Sequence, residues 1–277
     1  MPQPLNQKIT TFDDVLHELD RIIAWSLQNN SRIGFFAAIY KNVTARIKKA
    51  AEQGEFQDKT RIELLDVTFA SRYFAVVDAF RNSTGGSTGG STTESNAAGY
   101  TPSGSDAWSY ALAQSKRRFT IVLQQLLLSM NPHINIDLAM ATAGISTPEN
   151  MLFIYTDFLK VNQILASAML QIEKEVFTVS PILSWVSKLG MKPENSFFNF
   201  SLDVARCEAW SLACQLVIAG EPQKTQLFQT ANESAIALGK KIVAPGLLGS
   251  LAIFFIGIFE FKSIRRIIEV LSNKEIK

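Results

Sequence analysis

Ile62-Glu63-Leu64-Leu65-Asp66-Val67-Thr68-Phe69-Ala70-Ser71-Arg72-Tyr73-Phe74-Ala75-Val76-Val77-Asp78-Ala79-Phe80 is the stretch whose pattern decides the fold class. At about 100° per residue, Ile62, Leu65, Phe69, Tyr73, Val76 and Phe80 fall on one apolar stripe. Steps of three and four residues belong to an α-helix. Two side chains disturb the stripe: Asp66 lies inside it and Arg72 sits on its edge.

The same period extends outward in both directions. Upstream, Thr11-Phe12-Asp13-Asp14 reads as a capping box with an acidic first turn. It predicts a helix from Phe12 to Leu27, and a second from Arg32 to Ala51 that stops at Gly54. The third, Asp58 to Arg81, contains the quoted stretch. Residues 82–105 are rich in glycine, serine and threonine and read as a disordered or mobile loop. Ser105 can cap a helix from Asp106 to Met130, where Asn131-Pro132 breaks or kinks the chain and, with Asn131 as N-cap and Pro132 at the first helical position, opens a short helix to Ala143. Ser146-Thr147-Pro148-Glu149 starts a helix reaching Phe177. Further helices are expected over Ile182–Leu189, Phe198–Ala219, Gln223–Ile242 and Leu247–Ser272. No alternating strand pattern competes, and no internal repeat is evident. The expectation is an all-α protein over 1–277, a single multi-helix bundle-like domain with one flexible Gly/Ser/Thr-rich insertion.

Polar residues recur inside the apolar stripes of these helices. His133 and Asp137 share a face with Ile136 and Met140. Asn162 lies amid Met151, Tyr155, Phe158, Leu165 and Met169. Arg206 sits beside Leu202, Ala205, Ala209 and Ala213, and Glu260 falls between Ile256 and Ile264. Each buried charge costs several kcal/mol unless paired. The economical reading is that Asp66, His133, Asp137, Asn162, Arg206 and Glu260 meet, satisfying one another or lining a polar pocket. Arg206 is then expected to form a bidentate pair with Asp66, Asp137 or Glu260. His17 falls opposite its helix's apolar face and reads as a surface residue.

His133 and Asp137 are four apart and neighbours on one helix face. In a first helical turn the dipole disfavours imidazolium, so a neutral ring is expected. Such a pair suits general acid–base work or one face of a metal site. His133, Asp137 and Arg206 are the catalytic candidates, with Asp66, Arg72, Asn131, Asn162 and Glu260 as binding candidates. No cofactor is evident, although a single divalent metal at His133 and Asp137 fits the letters. Alternatively, the pair braces the proline junction and has no chemistry.

Composition narrows the classes. Hydrophobic residues make up 47%, charged residues 19%, and the net charge is +2. The basic residues come in short pairs without interleaved aromatics, which argues against nucleic acid. Cys207 and Cys214 lie roughly 10 Å apart along one helix, too far for a disulfide. They read as buried thiols. Met1 to Thr11 is polar with no apolar core, so a cytoplasmic protein is expected. Asp13-Asp14-Val15-Leu16-His17-Glu18 looks superficially like the aspartate-rich motif of class I terpene synthases, but lies off the apolar face. The His-Ile-Asn-Ile-Asp spacing is similar to that of helical zinc phospholipase C and P1 nuclease enzymes, whose three-metal sites need more histidines than the two present. Nucleophile elbows, phosphate-binding glycine loops and dinucleotide fingerprints are absent.

Gln124-Gln125-Leu126-Leu127-Leu128-Ser129-Met130-Asn131-Pro132-His133-Ile134-Asn135-Ile136-Asp137-Leu138 resembles a bacterial and fungal family known only as a domain of unknown function, with an Asn-x-His-Ile-x-x-Asp-Leu signature. Phe56-x-Asp58, Phe69-Ala70-x-Arg72-Tyr73, Trp108 and Arg206-x-x-x-Trp210 are similar to its other marks. The resemblance covers most of the chain between Tyr40 and Ala213. It implies an all-helical fold and no particular activity. Gln125 departs from the pattern, because members often carry histidine there, which weakens any metal-site transfer.

Residues 242–259 carry no charge and just reach the length of a membrane span. Pro245, Gly246, Gly249 and Ser250 interrupt the start, and an amphipathic segment follows. A buried core helix is favoured over membrane contact. The functional expectation is a small-molecule ligand or hydrolytic acid–base chemistry at the polar cluster. The alternative is a non-catalytic helical module whose polar cluster is structural, with membrane association as an option.

Overall fold

Helix caps and apolar stripes place the elements within a few residues of their predicted bounds. The computed structural model describes residues 9–84, 105–117, 120–188 and 202–272. In chain order the elements are α1 (Phe12–Gln28), α2 (Ile33–Glu52), α3 (Lys59–Thr84), α4 (Asp106–Ser115), α5 (Val122–Pro132), a π-helical turn (His133–Leu138), α6 (Ala139–Gly144), α7 (Met151–Val179), α8 (Pro181–Lys188), α9 (Leu202–Ile218), α10 (Glu221–Val243), α11 (Leu247–Phe259) and α12 (Ile264–Leu271). No strand occurs among the described residues, and the fold is all-α. Of the predicted loop, residues 82–84 end α3 and Ser105 caps α4 through Trp108 N–H. Residues 85–104 lie outside the described residues, as does the predicted helical start at Phe198.

Three junctions differ from the sequence expectation. The helix expected over Asp106 to Met130 is two helices. Between them, Thr120 Oγ1 donates to the Arg117 carbonyl at 2.9 Å and accepts from Arg32 Nη1 at 3.2 Å. Gln125 Nε2 donates to the Gln114 carbonyl at 3.1 Å. These partners compete with a helical ladder through β-branched Thr120, Ile121 and Val122, which are weak helix formers.

At Pro132 the chain does not break. Proline has no N–H to offer the ladder, and the next turn widens into the π form before α6 continues it. Asn131 is accordingly not an N-cap: its Nδ2 donates across to the Ala235 carbonyl on α10 at 2.6 Å, and its Oδ1 accepts from Asn135 at 2.9 Å.

The last expected helix divides at Glu260, whose ψ is 150°. Phe261 N–H there donates to the Val179 carbonyl at 2.9 Å. The chain restarts as α12 under a Ser263 cap.

The largest apolar core joins α1, α2, most of α3, α4, α5, the end of α7 and α12. A second body joins the end of α2, the start of α3, α6, the first half of α7 and α9. Both lie against the π-helical turn, which leaves that turn deep inside the protein. Within the first core, α2 approaches α1 and α12 closely at Gly34: a Cβ there would lie 2.7 Å from Ser26 Cβ and 2.5 Å from Ile268 Cδ1.

The expectation of a buried core helix at 242–259 is corrected. Among the described residues one side of α11 packs on the protein, with Ile256 buried and Ile253 half-buried, while Leu251, Phe254, Phe255, Ile258 and Phe259 are exposed. Among the described residues, no helix is long and apolar enough to cross a membrane.

Candidate functional site

Asp137 is the hub of the polar interior. It is 1% exposed and projects from the π-helical turn toward α3 and α4. Trp108 Nε1 donates to its Oδ2 at 2.8 Å, and Arg72 Nε donates to its Oδ1 at 3.1 Å. His133 Nδ1 donates to Oδ2 at 3.1 Å. Three donors from three elements satisfy a carboxylate that would otherwise be costly to bury.

These bonds also fix the histidine. With Nδ1 carrying the proton toward Asp137, the unprotonated nitrogen is Nε2. The ring stacks on Phe69 at a centroid separation of 3.7 Å and an interplanar angle of 11°. Tyr40 approaches at 4.9 Å, and Phe36, Tyr73 and Trp108 complete an aromatic box. Burial holds the imidazole pKa below its usual value, only partly offset by the bond and charge of Asp137. The ring is therefore neutral near pH 7.

His133 borders a cavity of about 100 Å³ lined by α2, α3, the end of α5, the π-helical turn, α7 and α9. Its walls are mostly apolar, including Ile39, Leu65, Leu138, Val161 and Leu165. Four lining residues carry polar groups: Tyr40, Asp66, His133 and Arg206. His133 Nε2, Asp66 Oδ2 and the Tyr40 hydroxyl are buried and have no hydrogen-bond partner among the described residues. Burial, with a smaller push from Glu63, raises the Asp66 pKa to about 7. Burial likewise raises the Tyr40 phenol, and the nearby charges of Asp66 and Asp137 add to it.

Arg206 reaches the cavity from α9, but its partners differ from those expected. Nε donates to Asn162 Oδ1, and Nη2 donates to the Phe158 carbonyl at 3.2 Å. Its guanidinium carbon lies 4.3 Å from the Phe158 ring centroid, a cation–π contact. No carboxylate is within ion-pair distance of it among the described residues. Burial pushes its pKa down to about 9. The bidentate carboxylate pair is thus not formed, because Asp137 is occupied by α3 and α4 donors and Glu260 is elsewhere.

Glu260 does not belong to this cluster. Its two carboxylate oxygens accept from Val122 N–H at 3.0 Å each, and Ser180 Oγ donates to one of them. It caps the N-terminus of α5, where a negative charge is favoured. The break after α11 removes it from the helical stripe on which the sequence placed it. Asn131 ties α5 to α10, and Arg72 touches the site only through Asp137. Of the eight candidate residues, Asp66, His133 and Arg206 border the cavity, Asp137, Arg72 and Asn162 stand behind it, and Asn131 and Glu260 serve helix junctions.

Cys207 is exposed and Cys214 half-buried, so the reading of two buried thiols is corrected. Asp14 closes the α1 capping box, and the exposed Asp13 pairs with Lys48 at 2.5 Å. Neither borders the cavity. Among the described residues no three His, Cys, Asp or Glu side chains are grouped to hold a metal ion. The His133 and Asp137 atoms closest to each other are engaged in their own hydrogen bond.

Sequence reasoning missed Tyr40, Phe69 as the stacking partner, and Asp157. Tyr40 ends the run Ile33–Tyr40, in which every residue is buried, so no polar face marks it. Asp157 is buried on α7 and accepts from the Gln57 and Asp58 N–H groups at 2.8 and 2.9 Å, capping α3. Trp108 was visible only as a family mark.

The model of a family described as "Family of unknown function (DUF5995)" matches residues 12–89 and 91–245. No curated protein and no solved structure matches the chain.

Proposed function

We propose that this chain, which belongs to the DUF5995 family, binds a small, mostly apolar molecule with one polar group in the cavity beside His133, and acts on that group by acid–base chemistry. The observation that carries the reading is the set of three buried, unpartnered polar atoms on residues lining one otherwise apolar cavity: His133 Nε2, Asp66 Oδ2 and the Tyr40 hydroxyl. Apolar walls with a few convergent polar groups are the usual make-up of a small-molecule site. Leaving three such atoms unsatisfied costs about 1–3 kcal/mol each, which a ligand's polar group would recover.

The two titratable members are shifted toward opposite roles. Neutral His133, its proton held at Nδ1 by Asp137, offers the Nε2 lone pair as a general base. Asp66, with a pKa of about 7, retains a proton in part of the population at neutral pH and can donate it. Asp137, Arg72 and Trp108 position the imidazole and do not reach the cavity. A hydrolytic step would have His133 take a proton from water as the water oxygen bonds to an ester or amide carbonyl carbon, with Asp66 or Tyr40 donating a hydrogen bond to the developing oxyanion; as the carbonyl re-forms, the C–O or C–N bond breaks and the imidazolium returns the proton to the departing alcohol or amine.

The test is nitrogen NMR of the His133 side chain during titration with short-chain esters, amides and alcohols. Binding to wild type with a shift of the Nε2 signal, lost in His133→Phe, is expected. Protein that binds such molecules equally well after His133→Phe, or a library that never moves Nε2, would sink the reading.

A further inference from the structure

We propose that α11 is a membrane-docking element, lying in the plane of a bilayer with its outer face among acyl chains and its basic flanks on anionic headgroups. The inference is independent of the cavity, whose lining includes no residue of α11.

Helix α11 has a single hydrogen-bonding side chain, Ser250. Its inner side is anchored: Ile256 is buried, and a Cβ on Gly257 would meet Ile121 Cγ2 at 3.5 Å. Its outer side is large, apolar and wet. Leu247 is 87% exposed, and Leu251, Phe254, Phe255, Ile258 and Phe259 are each at least 50% exposed. A contiguous exposed apolar face of this kind marks a contact surface.

Charge identifies the partner. From Lys240 to Arg266 the chain has five basic residues, Lys240, Lys241, Lys262, Arg265 and Arg266, all exposed. The one acidic residue in that interval, Glu260, is turned inward onto Val122 and Ser180. In sequence, basic groups therefore bracket α11 at both ends. Two are held against its exit, Lys262 donating to the Gly257 carbonyl and Arg266 lying 4.1 Å over the Phe261 ring. A groove of about 1020 Å³ runs beside the helix, and Arg32 and Arg117 line it along with Phe254 and Lys262.

An apolar band bordered by cations matches the interface of an anionic bilayer, where acyl chains lie beneath negatively charged headgroups. A protein partner fits less well, because interfaces carry roughly one hydrogen bond per 100–200 Å² and this face offers almost no donors or acceptors. A two-fold contact with a second copy would bring like-charged flanks together. At 1.5 Å per residue α11 is about 20 Å long, short of a hydrocarbon core of roughly 30 Å. That length suits lying in the interface.

The experiment is vesicle co-sedimentation of the full chain, using phosphatidylcholine alone and phosphatidylcholine mixed with phosphatidylglycerol. Binding only to the mixed vesicles, weakened by added salt, is expected. The double variant Lys241→Gln/Arg265→Gln should bind about fivefold more weakly for each charge removed, and Leu251→Ser/Phe254→Ser/Phe255→Ser should abolish binding. All five positions are exposed, so circular dichroism melts should match wild type. Absence of binding to mixed vesicles, equal binding to both vesicle types, or retained binding by the triple serine variant would overturn the proposal. So would light scattering that shows a dimer which the serine variant dissociates.

Discussion

Arg206 shows how far a side chain's worth depends on what it touches. Its partners are an amide oxygen, a main-chain carbonyl and an aromatic face, none of them charged. Removing it orphans no carboxylate, so Arg206→Met should cost little and can gain stability, because a desolvated guanidinium is itself expensive. Urea melts at pH 7 are expected to place the variant within about 1 kcal/mol of wild type or above it. A loss of 3–5 kcal/mol would reveal a buried anionic partner. Asp66 permits a sharper prediction. Its folded-state pKa of about 7 lies above the unfolded carboxylate value, so between those values the folded protein holds a proton that the unfolded chain has released. Wild-type stability should therefore decline as pH rises toward neutrality. Asp66→Asn lacks that proton, and its stability relative to wild type should increase from about pH 4 to about pH 8, by a swing on the order of 4 kcal/mol. Parallel urea melts of both proteins at the two pH values measure it. A difference independent of pH would mean that Asp66 is solvated.

Between elements, close approach decides more than intrinsic preference. In an isolated helix, glycine to alanine gains about 1 kcal/mol. At Gly34 in α2 the new Cβ would sit 2.7 Å from Ser26 Cβ, an atom fixed to the α1 backbone, as well as against Ile268 of α12. Gly34→Ala should therefore destabilise, by about 1–3 kcal/mol for overpacking, and thermal melts read the sign directly. A stabilised variant would show that α1 and α12 can move away from α2. The same principle explains two of the displaced junctions. The Arg32 and Gln114 partners draw Lys116, Arg117, Thr120 and Ile121 out of the helix expected over 106–130. At Glu260 the chain leaves helix where its carboxylate caps α5 and Phe261 bonds to α7. In each case a partner distant in sequence outbids a local ladder bond.

Across the whole molecule, the two apolar bodies meet around the π-helical turn and leave the cavity between them. Filling part of that space separates packing from binding. Val161 is buried and borders the cavity, and Val161→Ile adds one methylene directed at it. Stability should rise by about 0.8 kcal/mol, the value of a buried methylene, while ligand-induced shifts at His133 weaken. Chemical denaturation and the NMR titration measure the two effects. A variant that loses stability would mean that the space is narrower than one methylene.

The all-α class, the helix count to within two breaks, and the inward direction of Asp66, His133, Asp137 and Arg206 were written in the chain as local periodicity. Wheel position depends only on a residue's own helix, and four-residue spacing alone made His133 and Asp137 neighbours. Periodicity could not say where separate helices meet. Tertiary contacts decided that Asp137 is held by Arg72 and Trp108, that Arg206 faces Asn162 and Phe158, and that Glu260 caps α5. They also decided that α11, the most apolar of the described helices, faces outward. The physical reason is common to all of these: an apolar stripe requires burial against something, and only the packed neighbours determine against what, and whether any are left to cover it.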